Sequence, residues 1–201
     1  MKDAAIIIFQ KTPELGKVKT RLAKTIGKAK ALEAYQLLLQ HTHEQVALVD
    51  ADVFVYFEKE IDPFFVRDQR YVGVLQERGD LGQKMKTALQ EVLADGYPKA
   101  ILIGSDCPGL DAEVLEQAIH YLSSSDLVLG PAKDGGYYLI GMGQMYGTLF
   151  ENIPWSTSEV FSKTLAEAKH LDLEIALLRE LADVDVYEDL DEDLKKKLGI
   201  P

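Results

Sequence analysis

The chain has 201 residues, 47% of them hydrophobic and 27% charged, the balance of one soluble globular domain. Its net charge of −11 excludes a broad basic face for duplex nucleic acid, and no stretch approaches the length of a membrane span. Cys107 is the only cysteine, which excludes an internal disulfide and fits a reducing, cytoplasmic compartment.

The charge is uneven. Residues 1–30 hold eight Lys or Arg against Asp3 and Glu14, a balance of +6, which leaves −17 on residues 31–201. Residues 4–9, AAIIIF, form a continuous apolar run of the kind a buried parallel strand shows. The loop after it carries Lys11, Gly16, Lys17, Lys19 and Arg21. Such a loop between strand and helix favours an anion through backbone amides, a helix N-terminus and local cations. It is not a P-loop, because Gly16–Lys17 is followed by Val18 and Lys11 stands where the first glycine belongs. On a −17 body, phosphate binding outweighs the bland reading of a solvated basic surface. Lys24, Lys28 and Lys30 recur at helical spacing and read as that surface.

A helical pattern covers 29–48, and DVFVYF (52–57) and YVGVLQ (71–76) read as strands. The stretch 79–96 reads as a helix with Asp80 as N-cap and Gly96 as its stop. Gly79 or Gly82 could lie against a flat base there, but capping by Asp80 is the better reading. AILIGSD (100–106) is a strand ending in a carboxylate. Asp106 there is open to two readings, a hard-cation ligand or the cap of a turn. Cys107 has no histidine in its loop to activate it, so packing is favoured over nucleophilic chemistry. Asp111 opens a helix over 111–122.

DLVLGPA (126–132) and YYLIGM (137–142) are strands divided by Lys133, Asp134, Gly135 and Gly136. By themselves those four residues read as a hairpin turn, although Asp134 could face a ligand. A capping box of Ser156 and Glu159 predicts a helix over 156–171, and LEIALL (173–178) reads as a last strand. In the acidic tail, Asp183 and Asp185 precede a helix and could complete a metal site with Asp106. Trp155, the only tryptophan, reads equally as a stacking platform or a core side chain. His41 and His43 have the wrong spacing to share a metal on one helical face. Alternating strands and helices predict one α/β domain over 1–201, with a mainly parallel mixed sheet between helical layers. Its ligands belong at the carboxyl ends of the strands.

Together these motifs resemble the small bacterial glycosyltransferase-like family long labelled a domain of unknown function. The pattern FxKxPxxGxVKTRL is met by Phe9, Lys11, Pro13, Gly16, Val18 and Lys19 to Leu22. GDLG, SDCPGL, GPAKDGGYYLIG, IPWST and DVD…EDL follow in order along the chain. Val186 departs from the pattern, because a threonine commonly follows the second tail aspartate. The family lies in the nucleotide-diphospho-sugar transferase superfamily, and its opening motif resembles that of phospholactate guanylyltransferases. The resemblance implies a three-layer GT-A-like fold and an Mg²⁺- or Mn²⁺-dependent transferase with a nucleotide donor.

On that resemblance Asp106 holds the metal, with Asp185 favoured over Asp183 as the tail ligand. Lys11, Lys17, Lys19 and Arg21 grip phosphates, and Asp134 orients or deprotonates an acceptor hydroxyl. Gly16, Gly79, Asp80, Gly82, Gly135, Gly136 and Trp155 complete the expected substrate contacts. The expected partners are a nucleotide sugar or nucleoside triphosphate and a small-molecule acceptor, with no nucleic acid and no membrane; self-association is left open. Glycosyl transfer comes first, nucleotidyl transfer and a non-catalytic nucleotide-binding module being the alternatives.

Overall fold

A computed structural model describes residues 1–200. Seven strands form one sheet: β1 (Ala5–Gln10), β2 (Asp52–Phe57), β3 (Tyr71–Leu75), β4 (Ala100–Ile103), β5 (Leu127–Pro131), β6 (Tyr137–Met142) and β7 (Ile175–Leu177). Their order is β3-β2-β1-β4-β6-β5-β7. Only β6 runs against the rest, pairing antiparallel with β4 and β5. The helices are α1 (Ala23–Ala47), α2 (Leu81–Ala94), α3 (Ala112–Tyr121), α4 (Val160–His170) and α5 (Glu192–Leu198).

Alternation along β1 divides the core into two layers. Ile6 and Ile8 pack with Tyr35 and Leu39 of α1 and Val114 and Leu115 of α3. Ala5 and Ile7 face the other way, towards Met85, Leu89 and Val92 of α2. With β2 and β4 on either side and helices on both faces, β1 has no solvent face, which explains its unbroken apolar sequence. Helix α5 packs on α1, with Leu194 and Leu198 clustered with Ala34 and Leu38, and Leu22 and Leu190 from the flanking turns joining them.

Most expected elements appear where the sequence places them, with one difference of substance, at the start of α4. Gly27, at φ 81° and ψ 158°, kinks α1 and sets a short N-terminal segment apart from the regular helix, which begins beyond that glycine as expected for 29–48. The Ser156–Glu159 capping box does not form. Ser156 adopts φ 66°, and Thr157 instead closes a turn, its Oγ1 donating to the Pro154 carbonyl at 2.8 Å. Helix α4 therefore starts later, at Val160. Asp80 and Asp111 do cap α2 and α3, accepting from Gln83 N at 2.8 Å and Val114 N at 2.9 Å.

This topology brings five loops to one edge. Lys11, Glu58, Gln76, the Gly104–Asp106 segment and the β5–β6 turn all follow or connect strands at the carboxyl end of the sheet. The tail after β7 crosses the same edge, held by Leu181 N to Pro131 O at 3.1 Å and Val184 N to Asp106 O at 3.0 Å. No helix among the described residues is long and apolar enough to cross a membrane.

Candidate functional site

Two adjoining clefts open along this edge. The first, about 430 Å³, runs from Glu58 and Gln76 past Lys11, Lys17 and Lys19 to Ser105 and Asp106. The second, about 760 Å³, runs from Asp106 over Lys133 and Asp134 to Trp155 and Ser156–Ser158. Leu81, Asp106 and Asp185 line both.

The basic loop reaches this junction through a local backbone constraint. Gly16 takes φ 75° and Lys19 takes φ 45°, a left-handed conformation that costs a non-glycine residue about 1–2 kcal/mol. Such strain survives where surrounding contacts over-determine it. Here Lys19 Nζ donates to Asp106 Oδ2 at 2.8 Å, with the lysine side chain only 7% exposed. Arg21 lies further along and is held by the Asp185 carboxylate. Lys11 is tethered through its backbone: its N–H donates to Tyr35 Oη at 2.8 Å, and Tyr35 Oη donates to the Lys11 carbonyl at 3.2 Å. Tyr35 Oη also meets Ser105 Oγ at 3.4 Å, joining the ends of β1 and β4. Burial pushes the Tyr35 phenol up to about 12, so it remains a neutral strut.

The acids around the junction have different environments. Asp185 is paired with Arg21, and its backbone N–H donates to Asp189 Oδ2 at 2.8 Å. Asp183 Oδ1 is buried without any hydrogen-bond partner. Burial, then the charges of Asp106 and Asp134, pushes the Asp183 carboxyl well above the usual carboxylate range, with Lys19 opposing. Asp134 directs Oδ1 at the Gly136 N–H, 2.8 Å away, which leaves Oδ2 for a ligand. Among the described residues no three His, Cys, Asp or Glu side chains form a ready metal cage.

Several expected contacts have structural explanations. Asp80 accepts the Gln83 N–H as a cap, and a Cβ on Gly79 would meet the Gln83 side chain at 2.4 Å. Gly82 faces the Trp155 indole: a Cβ there would lie 2.2 Å from Nε1. The indole thus covers the face of Gly82 on which the sequence reading placed a flat base. Trp155 packs on Phe150 and Tyr137 and also lines the second cleft. Gly135 takes φ 89° with Ser158 O 2.2 Å from the place of a Cβ, so it holds the turn against the Ser156–Ser158 loop. Neither Gly16 nor Gly135 lines a cleft, whereas Gly136 lines the second. Cys107 is buried, with its thiol pushed up to about 12 mainly by burial, in keeping with a packing role.

Sequence reasoning did not single out Tyr35, Ser105, Glu58, Gln76 or Lys84, all of which line the first cleft. Ser105 stands inside GSDCPG beside Asp106 and was open to notice. Tyr35 and Lys84 sit in helical patterns that give no local signal of a site.

The molecule has clear relatives. A protein from Desulfovibrio desulfuricans G20, assigned to the nucleotide-diphospho-sugar transferases, is 30% identical. It matches 98% of this chain and 91% of its own, with a TM-score of 0.87. The inositol-1-phosphate CTP transferase from T. maritima matches 100% of this chain and 98% of its own at 13% identity and a TM-score of 0.64. The 4-diphosphocytidyl-2C-methyl-D-erythritol synthase from Anaerococcus prevotii DSM 20548 matches 94% and 92% at 13% identity and a TM-score of 0.60. These last two share the fold alone. No curated protein matches the chain. The family described as uncharacterized protein conserved in bacteria (DUF2064) matches residues 38–157. The chain belongs to that family and carries the nucleotide-diphospho-sugar transferase fold.

Proposed function

We propose that this protein is a metal-assisted transferase that moves a glycosyl group from a nucleotide-diphospho-sugar to a small hydroxylated acceptor. The observation that carries this reading is the position of Asp106 on the wall shared by both clefts, with Lys19 2.8 Å away. The relative from Desulfovibrio desulfuricans G20 supports it by its assignment to the nucleotide-diphospho-sugar transferases.

The first cleft would take the nucleotide, with Lys17 and Lys19 on its phosphates. The second would take the donor's sugar and the acceptor. The orphaned Asp183 Oδ1, under the charges of Asp106 and Asp134, supports a divalent cation at this point. Asp106 and Asp183 would hold Mg²⁺ or Mn²⁺, with donor phosphates completing the coordination. Asp185, favoured from the sequence, gives way to Asp183 because Arg21 already occupies its carboxylate. The metal would supply a counter-charge for the departing diphosphate. Lys19 would release Asp106 and turn its ammonium towards that diphosphate. Asp134 Oδ2 would accept the acceptor's hydroxyl proton as the oxygen bonds to the anomeric carbon and the nucleoside diphosphate leaves. Trp155 and Tyr137 would flank the sugar.

Nucleotidyl transfer is the second reading. Lys11, Lys17, Lys19 and Lys84 all line the first cleft, enough cationic charge for a triphosphate. Incubation with Mg²⁺, nucleotide sugars and sugar or polyol acceptors separates the two. Free nucleoside diphosphate with a glycosylated product supports the proposal. Pyrophosphate released from a nucleoside triphosphate supports the second reading, and binding without turnover of any acceptor removes both.

A further inference from the structure

The far end of the first cleft has a polarity that the phosphate end lacks. β2 and β3 run parallel with Phe57 paired to Leu75, so Glu58 and Gln76 are the next positions on adjacent strands. Neighbouring strands lie about 4.8 Å apart, which brings the two residues side by side at the sheet edge. Both line the cleft.

The Gln76 amide is fixed in orientation. Its Nε2 donates to the Tyr56 carbonyl at 3.0 Å and to the Gln10 carbonyl at 3.4 Å, the ends of β2 and β1. Turning the amide over would set Oε1 against two carbonyl oxygens, so the network assigns Nε2 to the backbone and leaves Oε1 as the free group. Gln76 thus offers a ligand an acceptor. Glu58 is exposed and takes no hydrogen bond or ion pair among the described residues, so its carboxylate is a second acceptor beside the first. Lys11 follows Gln10, the β1 partner of Phe57, and places a donor on the other side of Glu58. Across the edge the order is donor, acceptor, acceptor.

We propose that the base recognised by this cleft is guanine, read by Glu58 and Gln76. Guanine alone among the common bases carries two adjacent donors on its Watson–Crick edge, N1–H and the N2 amino group, beside the acceptor O6. Cytosine offers one donor and two acceptors, uracil a donor between two acceptors, and adenine a donor beside an acceptor. Each would set an acceptor against Glu58 or Gln76 and leave a polar pair unsatisfied. Glu58 receives guanine N1–H and Gln76 Oε1 receives N2–H. The inference rests on the first cleft being the nucleotide site, and it goes further by naming the nucleotide.

The test is calorimetric binding of GDP, IDP, CDP, UDP and ADP in Mg²⁺ to wild type, Glu58→Gln and Gln76→Met. Wild type should bind GDP at least about tenfold more tightly than CDP, UDP or ADP. IDP keeps N1–H and lacks the 2-amino group, so its affinity should fall between. Glu58→Gln, at an exposed position, should remove most of the guanine preference without unfolding the protein. Gln76→Met should erase the difference between GDP and IDP. Equal or tighter binding of CDP, UDP or ADP by wild type overturns the guanine assignment while leaving the nucleotide site standing. A guanine preference undiminished in Glu58→Gln overturns the reading by Glu58. If no diphosphate binds at all, the nucleotide reading fails and this inference with it.

Discussion

Lys19 Nζ lies 2.8 Å from Asp106 Oδ2, although 87 residues separate the two in sequence. The pair closes the distance between the basic opening loop and the acidic remainder of the chain. Without a ligand each charge offsets the other, so neither is left uncompensated beside the cleft.

Lys19→Met should weaken nucleoside diphosphate binding by about 10- to 100-fold, the range for losing a charged hydrogen bond. Its effect on stability should be small, because Asp106 is 41% exposed and water can screen the carboxylate left behind. Calorimetric affinity and thermal midpoint, measured on the same preparation, check both halves. A large fall in midpoint with unchanged affinity would make the pair purely structural.

Asp183 should behave in the opposite sense. Asp183→Asn removes a buried carboxylate crowded by Asp106 and Asp134, so the fold should gain on the order of 1 kcal/mol. The same variant should lose Mg²⁺-enhanced nucleotide binding by on the order of tenfold or more. Urea unfolding and binding with and without Mg²⁺ separate these effects. A destabilised variant with intact metal dependence would count against the metal assignment.

Gly82 gives a packing test with its own reporter. In Gly82→Ala the new methyl would meet Trp155 Nε1 at 2.2 Å and Cε2 at 2.4 Å. Overpacking of this kind costs about 1–3 kcal/mol. Because Trp155 is the only tryptophan, its fluorescence should shift as the indole moves towards the second cleft. Unchanged emission and an unchanged thermal midpoint would show that the contact is easily relieved.

His43 sets an acid limit on stability. It is fully buried, with Nε2 2.8 Å from Gln10 Oε1 and Nδ1 without a partner. Burial first, and then the charge of Arg67, lowers its imidazole from 6.5 to about 3. The neutral ring's contribution is therefore complete above pH 6.5 and is lost as pH falls towards about 3. Across that window wild type should lose up to about 1.4 kcal/mol per pH unit more than His43→Gln. Denaturant midpoints at about pH 7 and about pH 4.5 measure the slope. Parallel slopes would show that His43 carries no such linkage.

Elements whose signals are local were legible in the sequence. The apolar run of β1, the alternation of layers and the caps at Asp80 and Asp111 need only neighbouring residues to declare themselves. The different environments of Asp183 and Asp185, one unpartnered and one paired with Arg21, were not legible. The two aspartates flank Val184, whose N–H donates to the Asp106 carbonyl, a tertiary contact that nothing in the local sequence announces. Ser156 misled for a related reason: its cap chemistry is genuine, but its backbone is turned to φ 66° beside the Gly135 turn. Gln76 was invisible because its role depends on carbonyls from two other strands.

If a nucleotide and a divalent cation share the junction at Asp106, each should tighten the other. Mn²⁺ binding followed by electron paramagnetic resonance, with and without GDP, measures this. Coupling between two ligands is reciprocal, so GDP should tighten Mn²⁺ by the same factor that Mn²⁺ tightens GDP, on the order of tenfold or more. Asp106→Asn should abolish that coupling in a folded protein. Equal Mn²⁺ affinity with and without whichever nucleoside diphosphate binds most tightly, or coupling that persists in Asp106→Asn, would mean that nucleotide and cation do not share this junction.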